Sequence, residues 1–156
     1  MGGARLLQWI VLTLALLAAA GVALFRFGWP GDSTSPDAEE IALGRPLYAA
    51  NCARCHGKNL EGQPDWQTRL PNGRFPAPPH DASGHTWHHP DKMLVGITKQ
   101  GLKPYAGQDY ESDMPAFVGA LGDKEIEAII AYIKSTWPQR EREYQDLMNR
   151  NSTAGQ

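Results

Sequence analysis

The sequence predicts an all-α domain with long ordered loops, preceded by one N-terminal transmembrane helix. Three observations lead there. Residues 6 to 25, LLQWIVLTLALLAAAGVALF, form an apolar run without a single charge. Later segments carry helical periodicity with start and stop signals. Residues 57 to 90 hold six of the 12 prolines and lack that periodicity, so they read as a long ordered loop rather than sheet.

The apolar run has the length of a helix that crosses a hydrocarbon core, roughly 30 Å at about 1.5 Å per residue. Residues 1–27 are therefore expected to be an anchor, an uncleaved signal, with Trp9 and Trp29 at the two interfaces. A cleaved signal peptide is the competing reading, with Ala18-Ala19-Ala20 as its small-residue cleavage site. Both readings export the remainder. Residues 28–36, GWPGDSTSP, read as a linker. Residues 37–138 form one domain, and residues 139–156 a charged C-terminal tail whose end is expected to be disordered.

All 17 acidic residues follow the anchor, against 13 basic ones there, so the exported part carries a net charge of −4. That mild acidity argues against a nucleic-acid surface.

Three helices are expected in the domain. Ser35-Pro36-Asp37 followed by Glu39 and Glu40 resembles a helix start, and Ile41, Gly44, Leu47 and Tyr48 form its apolar face. Pro46 removes the bond to the Ala42 carbonyl, so this helix is expected to kink or restart there. A second helix runs from Pro90 or Asp91 to about Gln100, with Leu94, Ile97 and Thr98 inward and Gly101 as its stop. A loop from Leu102 to Gly122 follows. The third helix has Asp123 as its N-cap and Ile126, Ile129, Ile130, Ile133 and Trp137 along one face, and Pro138 ends it.

The chemistry lies in Cys52-Ala53-Arg54-Cys55-His56, which contains the only two cysteines. Two intervening residues hold both thiols on one side of a turn, where they can add to the two vinyl groups of a haem. His56 can then present a ring nitrogen to the iron. Three other readings stand beside this one. A disulfide of this spacing closes a very small loop and constrains little. A thioredoxin-like dithiol needs a βαβ pattern that is missing here. A zinc site needs two further ligands, which His80, His85, His88 and His89 could supply.

An electron-carrying haem with one histidine ligand needs a second axial ligand, and methionine in that place raises the potential. Met1 lies in the anchor segment, Met93 in the second helix and Met148 in the tail. Met114 stands in a loop, followed by the stiffening Pro115 and by Phe117, and is the candidate; a histidine between 85 and 89 is its rival.

With these motifs the chain resembles the class I c-type cytochromes over most of residues 37 to 137. Gly44 and Tyr48 lie eight and four residues before Cys52, where that family places a glycine and an aromatic. The resemblance implies a cytochrome c-like haem domain over 37–138 with one covalent haem c. It implies that Gly44 permits a close crossing with the last helix, against Tyr132 or Ile129. It also implies that the carbonyl of Pro78 or Pro79 accepts the second ring N–H of His56, and that Trp87 bonds a haem propionate. Arg69, Arg74 and Trp66 are further propionate candidates, and Met114-Pro115 matches the distal loop.

The histidine-rich segment from Lys58 to His89 departs from the smallest members of the family. Its histidines are expected to cap the second helix and to hydrogen-bond around the propionates, or to hold a second metal such as copper. The implied function is electron transfer, not catalysis, with the protein acting alone or within a larger oxidoreductase complex. The haem would have His56 and Met114 as its axial ligands and would relay single electrons between redox partners. The implied place is the periplasmic face of a bacterial inner membrane. A histidine-rich copper-handling protein and a gas- or peroxide-sensing haem protein are the alternatives.

Overall fold

The computed structural model describes Gly2, Gly3, Trp9, Thr13 and residues 38–154. The chain divides into two compact units, Met1–Ser35 and Pro36–Gln156. In the first, the Thr13 hydroxyl donates to the Trp9 carbonyl at 3.0 Å. The rest of the expected membrane span, the linker and the proposed Ser35 cap lie outside the described residues. Among the described residues no helix is long and apolar enough to cross a membrane.

The second unit is helical, with no strand among the described residues. Its elements are α1 (Ala38–Asn51), α2 (Ala53–His56), a 3-10 turn (Thr86–His88), α3 (Asp91–Gln100), α4 (Lys103–Ala106), α5 (Asp123–Ser135) and α6 (Gln139–Ala154).

The main packing is α1 across α5. Gly44 and Tyr48 are the buried residues of α1. A Cβ on Gly44 would meet the Ala128 carbonyl well inside the 3.0 Å that real Cβ contacts keep, and would lie 3.0 Å from the Tyr132 Cβ. The closest approach is therefore to the backbone of Ala128 rather than to the side chains of Tyr132 or Ile129. Tyr132 packs its ring on Tyr48, centroid to centroid 5.5 Å. Helix α1 does not restart at Pro46 but continues through it. Both Pro46 and Ala42 are exposed, so water can serve the carbonyl that the proline leaves without a donor.

On α5 the predicted stripe is buried: Ile129, Ile130 and Ile133 form one core with Trp137, Tyr48, Leu60 and Leu94, and Ile126 is buried as well. The cap differs by one residue. Gly122 is the N-cap and its N–H donates to the Glu125 carboxylate at 2.7 Å. Asp123 is instead the first helical residue and pairs with Lys99. Helix α3 has the expected bounds, with Leu94 and Thr98 buried and Gly101 at φ +79° closing it. The loop after it contains one short helix, α4.

The tail is the largest departure. Residues 139–154 form α6, a helix that the charged composition of the tail does not announce, and residues 155–156 lie outside the described ones. They hold to the domain through polar contacts: Gln145, fully buried, donates to Asp91 at 2.6 Å, and Asn149 both donates to the Asp91 carboxylate and accepts its backbone N–H. Lys134 of α5 joins the same carboxylate at 2.7 Å. Tyr144 adds an edge contact to Trp87, 5.3 Å between centroids.

Candidate functional site

The cysteine pair sits where α1 gives way to α2. The N–H groups of Cys55 and His56 both donate to the Cys52 carbonyl, at 3.1 and 3.0 Å. This is one turn of helix, and positions three apart in a turn share a face. Both thiols are free and half-buried. Burial, reinforced by the neighbouring Cys55, pushes the Cys52 thiol up to about 11. The βαβ pattern that a thioredoxin-like dithiol needs is not found, since the described residues contain no strand. The disulfide is not formed. Among the described residues no group of three or more His, Cys, Asp or Glu side chains is placed to hold a metal ion, which removes the support for a zinc or histidine-built copper site.

His56 closes the turn and is buried. Its Nδ1 lies 2.9 Å from the Pro78 carbonyl, so of the two expected prolines it is Pro78 that faces the ring; Pro79 follows, buried. Burial lowers the His56 pKa, with the Pro78 bond acting against it. The neutral ring donates through Nδ1 and keeps a lone pair on Nε2. The ring of His80 stacks on it, centroids 4.0 Å apart, and the Nδ1 of His80 pairs with the Thr86 hydroxyl at 2.8 Å.

Tyr48 fastens α1 to this turn by donating its hydroxyl to the Gly57 carbonyl at 2.8 Å. Burial raises its pKa, so it stays protonated as a donor. Tyr48→Phe is expected to lower stability by about 1–2 kcal/mol, the cost of leaving a part-buried carbonyl unpaired. Urea denaturation read at one wavelength checks this; an unchanged midpoint rules it out.

Met114 is half-buried in the loop between α4 and α5, its N–H donating to the Ser112 hydroxyl at 3.1 Å. The same loop is tied to α3 by Phe117 and Val118, whose N–H groups reach the carbonyls of Thr98 and Lys99. Arg74 ties it to the long proline-rich loop through ion pairs with Asp113 and Glu111.

The expected propionate donors already have protein partners. The Trp87 indole N–H donates to the Gly84 carbonyl at 3.1 Å, and Arg69 donates to the Gly73 carbonyl while lying over the Phe75 ring at 4.3 Å. Arg74 is engaged by the two carboxylates, as an exposed guanidinium takes the nearest acids. Trp66 stacks on His85, 5.4 Å between centroids. The Nδ1 of His85 is buried without a hydrogen-bond partner.

Three residues support the His56 turn in ways that sequence reasoning did not assign to them. Leu60, buried with a positive φ of 67°, uses its carbonyl to accept the N–H groups of both His80 and Asp81. His80 itself stacks on His56. Trp137, expected only as core, donates its indole N–H to the His80 carbonyl at 2.7 Å. Only an aromatic with a polar handle at a core position hints at such a bond.

The donor set fits a covalently held haem: two free thiols on one helical turn, beside a neutral imidazole whose second nitrogen is not taken. Comparison with known proteins points the same way. A family model described as "Cytochrome c" matches residues 41–137. A cytochrome c6 from Nostoc sp. is 27% identical over 119 residues, covering 75% of this chain and 86% of that protein. No solved structure matches.

Proposed function

Because this chain belongs to the cytochrome c family, as a class I c-type cytochrome with one covalent haem c and a function in haem-based electron transfer, we propose a specific assignment of its residues. Cys52 and Cys55 would form the two thioethers, and His56 and Met114 would ligate the iron. The bound haem supplies an iron that gains and loses one electron. The chain's part is to hold the ligands still, so that little rearranges between oxidation states.

His56 does so through its Nδ1–H bond to Pro78, which fixes the ring plane and makes Nε2 a better donor. Met114 does so from a loop fastened at Thr98, Lys99 and Arg74. His85, with a buried ring nitrogen that no protein group satisfies, is the donor in the long loop for a haem carboxylate. Residues 6 to 25 tether the domain to the outer face of a bacterial cytoplasmic membrane. Tethering raises its effective concentration beside membrane-bound redox complexes and confines the search for them to two dimensions, while soluble carriers reach it by diffusion.

The observation that carries this reading is the Cys52–Cys55–His56 turn with the His56 ring already oriented by Pro78. Optical spectra of the reduced and oxidised protein test it: a c-type reduced spectrum together with a thioether-to-iron band in the oxidised form is expected. Met114→Ala should abolish that band, lower the potential and let the reduced protein bind carbon monoxide readily. An unaltered oxidised spectrum in Met114→Ala would reassign the sixth ligand. Ready carbon monoxide binding by the unmodified protein would favour a gas-binding role instead.

A further inference from the structure

We infer that Trp137 is a positioning residue for the axial histidine, acting across the domain through the Pro78–His80 segment. The inference rests on His56 being a haem ligand. The orientation of His56 depends on one acceptor, the Pro78 carbonyl. Pro78 and Pro79 have no N–H, so these two residues cannot anchor themselves by their own donors. What holds them lies on either side.

Pro79 is boxed between two glycines: a Cβ on Gly62 would lie 2.5 Å from the Pro79 nitrogen, and one on Gly84 would overlap its carbonyl. Beyond it, the His80 N–H donates to the Leu60 carbonyl at 2.8 Å. The His80 carbonyl accepts the indole N–H of Trp137 at 2.7 Å. Trp137 is 1% exposed and packs in one core with Leu60, Ile130 and Ile133. A continuous series of contacts thus runs from the end of α5 through Trp137, His80 and Pro78 to the ring of His56.

A loosened Pro78 carbonyl would weaken the His56 Nδ1–H bond and make the imidazole a poorer donor. The oxidised iron needs that donation most, so the potential should rise. A tryptophan that merely fills the core would alter stability and leave both the potential and the His56 proton unaffected.

Trp137→Phe in the full-length, haem-loaded protein separates these roles, since it keeps an aromatic ring and removes the donor. A retained c-type spectrum is expected, with a potential raised enough to increase the reduced-to-oxidised ratio about three- to tenfold at the wild-type midpoint, tenfold being 59 mV for one electron. Exchange of the His56 Nδ1 proton with solvent, followed by NMR of the reduced form, is expected to be at least about tenfold faster. A folded variant with unchanged potential and unchanged exchange overturns the inference.

Should Trp137→Phe not fold, native-state exchange of the unmodified protein decides. The Trp137 indole proton and the His56 Nδ1 proton should open together, with the same denaturant dependence. Exchange at His56 through an opening that leaves Trp137 protected overturns the inference. A preparation without a c-type spectrum would overturn the haem ligation itself, which is a different failure.

Discussion

Replacing Cys52 and Cys55 together by alanine is expected to give a chain that carries no covalent haem and melts without a sharp cooperative transition. The first half follows from chemistry: these are the only cysteines, and both are free in the turn beside His56. The second follows from where the apolar side chains are. The buried core gathers around the α1–α5 crossing, with Leu60 and Leu94 at its edge. The stretch from Glu61 to His85 adds no buried large hydrophobic side chain to it.

That stretch is ordered by turns and single hydrogen bonds, such as Gln63 N–H to the Ala77 carbonyl at 2.9 Å, each of which contributes only about 1 kcal/mol net. Without an enclosed apolar cofactor the loop has little to collapse onto, and its conformational entropy, roughly 1–2 kcal/mol per residue, opposes order. Acid–acetone extraction should remove all pigment from the double variant and none from the parent. Circular dichroism should show a broadened melt. Pigment that resists extraction, or a melt as sharp as the parent's, would refute the corresponding half of this expectation.

Much of this was readable beforehand because it depends on local chemistry or simple period. The Cys-x-x-Cys-His run, the isoleucine stripe of α5 and the Gly101 stop each lie within a few residues of one another. What escaped the sequence was non-local or polar. Helix α6 has the spacing Glu141, Gln145, Asn149, a face at intervals of four, but it is built from residues that usually face water. It is held by the Asp91 carboxylate, far away in sequence, and an apolar-periodicity search cannot see it. Pro46 misled for the opposite reason. The local rule against proline holds, yet Pro46 and Ala42 are both exposed, so solvent can serve the orphaned carbonyl without the helix ending there. The propionate donors were named by type, but which guanidinium meets which carboxylate is set by the fold, and Arg74 met Asp113 and Glu111.

Gly44→Ala tests the crossing itself, because two effects of opposite sign compete there. Alanine is the better helix former by about 1 kcal/mol, so on an open helix surface the substitution would stabilise. At Gly44, however, the added Cβ falls on the carbonyl of Ala128, a backbone atom that cannot rotate away. Relief requires α1 and α5 to separate, which opens the packing of Tyr48 on Tyr132 and loosens Ile129. Overpacking of a tight core costs about 1–3 kcal/mol, and a clash with backbone belongs at the upper end. The net expectation is a loss of about 2 kcal/mol for Gly44→Ala. Gly44→Val should lose more, because a branched side chain adds bulk at the same point and is a poorer helix former. Urea midpoints of the haem-loaded proteins at unchanged m-value measure both. Since α1 runs directly into the cysteine turn, the same separation should also displace Tyr48 from the Gly57 carbonyl. Gly44→Ala and Tyr48→Phe should therefore be less than additive. A Gly44→Ala protein as stable as the parent would mean that the two helices do not meet this closely in solution.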